Sequence, residues 1–371
     1  MFSQVVGQED IRARLLDEAR EGRLPHALLL AGPAGCGKLA LAVSLAQYLL
    51  CRQPGADDAC GTCPSCRLSL GFAHPDLHFV FPIVRYKNAE SSVCDVYLDA
   101  WRERLQKGLY FSLEDWTADM KGTGQQPLIY AAEAAQISRK LALKPAMGGR
   151  KVMVVWLPER MNAECANKLL KLMEEPPAGT HFLLASDEPG GVLPTILSRA
   201  QRVDVKGVGR EAMVEALRRI HPGMDAEGAA RVAGGSFTAA LASLDADRDK
   251  ALFLDLFIML MRLAYQRKIR EMRKWSEQMA DMGRARQADF LDYCQRMVRE
   301  NFMYNFRQPE LNHMTEQEEA FSRNFARFVG ERNVIRIMEE LEHAQRDIGQ
   351  NVNPRFVFFD LALKMIVLLI Q

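Results

Sequence analysis

Short apolar runs alternate with segments of helical period over the first 205 or so residues. Ala27-Leu28-Leu29-Leu30 reads as a strand that leads through a glycine loop into a helix from about Lys38 to Leu50. The runs from Leu77 to Phe81, Lys151 to Val155 and His181 to Ala185 read as further strands. Met161 to Met173 reads as a helix between the last two. Pro176-Pro177 stops that helix, because proline supplies no amide donor and clashes with the preceding turn. Such alternation predicts an α/β fold with a mostly parallel sheet and flanking helices. The charged stretch from Pro82 to Gln126 follows neither period and reads as an irregular insertion.

From Gly207 to Leu244 the pattern is that of a small helical segment, broken at Gly234-Gly235. Beyond Asp245 it changes to long helices. Leu252, Leu256, Phe257, Leu260, Met261 and Leu263 fall at helical spacing on one apolar face, expected to be intramolecular core. The expected division is therefore 1–206, 207–244 and 245–371, and 371 residues exceed one ordinary core. Phe356 to Ile370 is apolar but too short for a membrane span and carries Asp360 and Lys364, so a buried helix is expected.

Composition narrows the function. With 48% hydrophobic and 26% charged residues the chain has the make-up of a globular protein. Its 48 Lys+Arg against 47 Asp+Glu leave no electrostatic footprint of an autonomous nucleic-acid binder. The start at Met1-Phe2-Ser3-Gln4 shows no secretory leader, and a cytoplasmic location is expected.

Gly32-Pro33-Ala34-Gly35-Cys36-Gly37-Lys38 fits the phosphate-loop pattern between a strand and a helix. Its glycines let backbone amides converge on phosphate oxygens, and Lys38 supplies a point charge. The following position, normally a magnesium-binding hydroxyl, is Leu39. Acidic residues should end a later strand to hold the metal, yet Val152–Val155 runs into Trp156-Leu157-Pro158, with Glu159 two to three residues late. A working ATPase is not expected. The loop reads as a relic that turns the chain and packs its helix, with weak, metal-independent binding of ATP or ADP as the alternative.

Cys51, Cys60, Cys63 and Cys66 have the spacing C-x8-C-x2-C-x2-C, with Gly61 and Pro64 favouring tight turns. Four thiolates on one loop suit tetrahedral, structural zinc with no open coordination position. Cys36, Cys94, Cys165 and Cys294 are scattered and read as ordinary small side chains, and neither His74 nor His78 is needed as a ligand.

Together these residues resemble the clamp-loader AAA+ family. The resemblance is carried by Val6-Gly7-Gln8, Gly22-Arg23-Leu24-Pro25-His26-Ala27, the glycine loop and the cysteine module after its helix. It continues through Met161-Asn162, Ala166–Lys171, Glu174-Glu175-Pro176-Pro177 and Leu193–Ala200, where Ala200 replaces a cysteine. It returns at Asn351-Val352-Asn353-Pro354-Arg355. Leu39, Trp156 and Leu157, with Thr238 where motor subunits carry a sensor arginine, resemble the delta-prime branch. That resemblance implies an AAA+ module, a helical lid and an all-α collar. It also implies a non-hydrolysing subunit of the DNA polymerase III clamp loader, partnered by motor (gamma/tau) and delta subunits. Such a loader places the sliding clamp on primer-template DNA. Ser198 and Arg199 are implied to act in trans at a neighbouring motor subunit's ATP site. The competing readings are an ATP-hydrolysing motor subunit of the same complex and a zinc-containing DNA-binding module.

Overall fold

Strand β1 (Ala27–Ala31) is apolar and buried at all five positions, a pattern suited to a strand covered on both faces. It is central in a parallel sheet with β2 (Leu77–Val80), β3 (Lys151–Trp156), β4 (Thr180–Ser186) and β5 (Gln201–Asp204). The order is β2-β3-β4-β1-β5, with Ala31 beside Ser186 of β4 and Asp204 of β5. The computed structural model describes residues 1–85, 93–120, 126–147, 149–306 and 314–369. They divide into two compact units, Met1–Leu244 and Asp245–Gln371.

In the first unit, α1 (Glu9–Arg20), α2 (Lys38–Leu50) and α3 (Pro64–Leu70) precede β2. All thirteen residues of α2 are buried, so this helix is core on every side. The predicted strands and the β3–β4 helix are present, the latter as α7 (Ala163–Glu174) capped by the Asn162 side chain. Strand β5 went unread, since Gln201-Arg202-Val203-Asp204 holds a single apolar residue and only Val203 is buried.

The reading of 82–126 as irregular is corrected by the structure. Residues 86–92 and 121–125 lie outside the described residues, but the remainder holds α4 (Leu98–Lys107) and α5 (Leu113–Asp119). Ser112 and Asp115 form a reciprocal capping box at the start of α5. Trp101 and Trp116 are wholly buried; Trp101 stacks on Phe81 at 4.2 Å and meets Trp116 edge-on at 5.0 Å. The Trp116 indole donates to the Pro82 carbonyl at 2.7 Å. Charge on the outer faces hid two helices whose inner faces extend the sheet's core. Next come α6 (Glu133–Ala142), α8 (Pro194–Leu197), α9 (Arg210–Ile220) and α10 (Ala226–Val232). The last two share an apolar cluster with Phe237, Ala240 and Leu244 from the start of α11 (Phe237–Gln266).

The second unit is helical: the rest of α11, α12 (Ile269–Ala280), α13 (Arg284–Tyr304), α14 (Glu316–Phe325), α15 (Val334–Gly349) and α16 (Pro354–Leu368). The apolar stripe on α11 lies in its core, with Leu252 only partly buried. Trp275, Phe290 and Phe358 pack together at its centre. Asn353 caps α16 by accepting from the Arg355 amide, with Pro354 at the first helical position. The expected C-terminal helix is thus present, apart from Ile370, which lies outside the described residues. Among the described residues no helix is long and apolar enough to cross a membrane.

Trp101→Ala should destabilise the first unit by about 3–5 kcal/mol, the usual range for emptying a buried aromatic site. Trp101→Phe should cost less than half of that, because among the described residues the buried indole nitrogen of Trp101 has no hydrogen-bond partner to lose. Urea unfolding followed by circular dichroism checks both; an Ala variant within 1 kcal/mol of the wild type would contradict the packing (about 1 kcal/mol being the ordinary effect of a substitution).

Candidate functional site

In open parallel sheets, ligands bind beyond the carboxyl ends of strands where the strand order reverses. Here β1 ends into Gly32 and β4 ends into Asp187, and the Gly32 amide donates to the Ser186 carbonyl at 3.3 Å. The phosphate loop therefore stands where a nucleotide site belongs. Gly37 caps α2 with φ of 97°, in the left-handed region that favours glycine. Gln8 holds the loop from behind, its amide donating to the Cys36 carbonyl at 3.2 Å and the Lys206 carbonyl at 2.7 Å. That contact gives the Val6-Gly7-Gln8 segment a physical role.

The cradle is closed by the protein itself. The Tyr110 hydroxyl accepts from the Val6 amide at 2.8 Å, and a Cβ on Gly37 would come within 2.9 Å of that oxygen. Ser236 and Thr238 press on Gly35, whose carbonyl accepts from the Phe237 amide at 2.9 Å. Lys38 is buried; its ammonium pairs with Asp187 at 2.8 Å and donates to the Pro33 carbonyl. Leu39 and Trp156 line the same space beside Lys38, Gly35 and Gly37. What remains is a cavity of about 30 Å³, enough for a water molecule or two.

Glu159 does not line this cavity. Its carboxylate accepts from the Asp187 amide at 2.8 Å and the Glu188 amide at 3.1 Å, fixing the turn after β4. Leu157 is buried with φ of 54° and donates its amide to the Ala185 carbonyl. Two residues that sequence reasoning missed matter most here. Asp187 had a signal, being an acid just past a strand end; Tyr110 had none, since it lies in the stretch read as irregular.

The four clustered cysteines do come together. Their sulfurs all lie within 4.8 Å of one another, and Cys60 and Cys66 are 3.8 Å apart. Tetrahedral thiolates at a zinc–sulfur distance of about 2.3 Å stand about 3.8 Å apart, so the donor set fits such an ion. Amides of Cys60, Cys63 and Cys66 donate to the sulfurs of Cys51, Cys60 and Cys63 at 3.3–3.4 Å. Donation from Cys63 and then Thr62 holds the Cys60 thiol down to about 6, whereas burial pushes the Cys66 thiol up. A bound cation would draw off all four protons. His74 is engaged elsewhere: its Nδ1 accepts from the Asp76 amide at 3.0 Å, and its Nε2 meets Ser65 Oγ at 2.7 Å. His78 sits on β2.

Ser198 and Arg199 follow α8 and are not among the residues that line the cavity at the loop. Arg199 is partly exposed; its Nε donates to Glu174 Oε1 at 2.7 Å, and its Nη1 donates to the Thr195 carbonyl and to Ser198 Oγ, both at 3.0 Å.

Residues 7–208 match the family described as DNA polymerase III, delta subunit. A DNA polymerase III subunit delta' of Pseudomonas aeruginosa is 35% identical over 54% of this chain and 49% of its own. The one from Escherichia coli is 31% identical over 64% of this chain and 60% of its own. A DNA polymerase III subunit gamma/tau of Mycobacterium tuberculosis is 31% identical over 59% of this chain and 31% of its own. The alignments with the two delta' relatives thus span about half to three fifths of those proteins. The family match covers more than half of this chain, and the chain belongs to the DNA polymerase III delta-subunit family.

Proposed function

We propose that this chain is a non-hydrolysing, delta-prime-type subunit of a cytoplasmic clamp loader, helping to place the sliding clamp on primer-template DNA. The observation that carries this reading is the closed phosphate loop: Lys38 is committed to Asp187, and Leu39 and Trp156 stand where metal ligands are needed. Phosphoryl transfer in this fold depends on side chains that hold a metal ion and on a lysine free to meet phosphate, whereas here those positions are apolar and Lys38 is paired with Asp187. Residues 207–244 act as a lid whose Ser236 and Thr238 help to seal the loop, and residues 245–371 act as the collar that joins motor (gamma/tau) and delta subunits. DNA is met through the assembled complex.

The gamma/tau relatives keep a motor-subunit reading in play, and turnover distinguishes the two. The purified chain should show no ATP hydrolysis above a Lys38→Ala control in a phosphate-release assay. Tyr110→Ala should admit a fluorescent ADP analogue more readily than wild type while still giving no turnover. Clear wild-type turnover would reassign the chain as a motor.

The four-cysteine cluster is proposed to hold one structural zinc ion, with Cys51, Cys60, Cys63 and Cys66 as a complete ligand set. Elemental analysis of protein purified without added metal should find one equivalent, and chelation should lower thermal stability. Four freely titratable thiols and no zinc would overturn this.

Arg199, positioned by Ser198, is proposed to leave Glu174 and reach the γ-phosphate at a neighbouring motor subunit. An arginine so placed stabilises charge on the transferring group, worth about 10³–10⁵ in rate in other nucleotidases. In a reconstituted loader, Arg199→Ala should depress clamp- and DNA-stimulated ATP hydrolysis. The variant chain itself should unfold within about 0.5 kcal/mol of wild type, since a partly exposed ion pair contributes little. Unchanged ATPase and loading rates would leave Arg199 as Glu174's surface partner and nothing more.

A further inference from the structure

The Asp245–Gln371 unit contains a groove of about 340 Å³ between the C-terminal part of α11 and the end of α14. Tyr265 is 60% exposed at its edge and packs on Phe328 at 5.2 Å. Phe321 and Phe325 form a stacked pair on its wall, with centroids 4.9 Å apart. Arg262 and Arg327 also line it, and among the described residues no acidic side chain does. The Arg327 guanidinium lies 4.9 Å from the Phe328 ring centre, and among the described residues neither arginine has a carboxylate partner. The surrounding sequence adds charge of the same sign: between Asp255 and Glu271 the chain carries Arg262, Arg267, Lys268 and Arg270 and no acid.

Two features must be met by whatever fills this groove. Its rings leave apolar surface that gains free energy on being covered. Its arginines present planar donor forks that match carboxylates and carry uncompensated charge. We propose that the groove docks a short acidic segment of a partner protein, inserting bulky apolar side chains between Tyr265 and Phe321 while its carboxylates meet Arg262 and Arg327. Single-stranded nucleic acid suits the charge but not the shape. Bases need flat, open ring faces, whereas Phe321 and Phe325 are spent on each other and Phe325 is only 7% exposed. The inference stands on the C-terminal unit alone and is independent of the phosphate-loop reading.

The test is fluorescence anisotropy on the full chain with three probes: a fluorescein-labelled peptide of leucine and phenylalanine between aspartates, its counterpart with lysines for the aspartates, and oligothymidylate of equal length. Saturable binding of the acidic peptide alone is expected, weakening with added salt. Arg262→Ala combined with Arg327→Ala should reduce affinity about tenfold or more without shifting the melting temperature, and Tyr265→Ala should reduce it independently. Lack of saturable binding by the acidic peptide, or affinity unchanged in the double variant, would overturn the proposal. So would oligothymidylate binding as tightly and losing affinity in the same variants, which would assign the groove to nucleic acid. Concentration-dependent self-association abolished by the arginine variants would assign it to a second copy, also against the proposal.

Discussion

Parallel pairing of β1 with β4 on one side and β5 on the other is the constraint from which the first unit's site follows. Because the three strands run in one direction, their carboxyl ends open on the same edge, and the loops after Ala31 and Ser186 emerge side by side. Lys38 and Asp187, far apart in sequence, are thereby brought into a 2.8 Å ion pair. A buried ammonium is costly unless paired and hydrogen-bonded, and here Asp187 and the Pro33 carbonyl meet that need internally. The loop keeps the backbone turns of a phosphate cradle while its one cation has been turned inward.

Much of this was legible in the sequence, and for physical reasons. A strand buried on both faces must be uniformly apolar, so β1, β3 and β4 announced themselves. The cysteine spacing announced the metal-type cluster, because four thiols so close in sequence, with Gly61 and Pro64 favouring tight turns, match the spacing of a tetrahedral ligand set. Edge strand β5 was invisible because only Val203 turns inward. The helices α4 and α5 were missed because charged residues cover their outer faces, although Trp101 and Leu105 at helical spacing and the Ser112–Asp115 cap were there to be read.

The site itself was only half legible. Sequence gives which ligands are missing from a phosphate loop, as with Leu39 and Trp156. It does not give what fills the space instead. Tyr110 reaches the loop from the connection between α4 and α5, and Ser236 and Thr238 reach it from 201 and 203 residues beyond Gly35 along the chain. Closure of this kind is a property of tertiary packing, and no local period encodes it.

Helix α2 begins at the phosphate loop and ends on Cys51, the first residue of the cysteine cluster. Thirteen residues of α-helix make a rod about 20 Å long, and it is buried along its whole length. The cysteine cluster and the phosphate loop thus stand at the two ends of one buried helix. An ion bound by the four cysteines would therefore fix the far end of the helix that carries Lys38, an anchor bolt for a cradle it never touches.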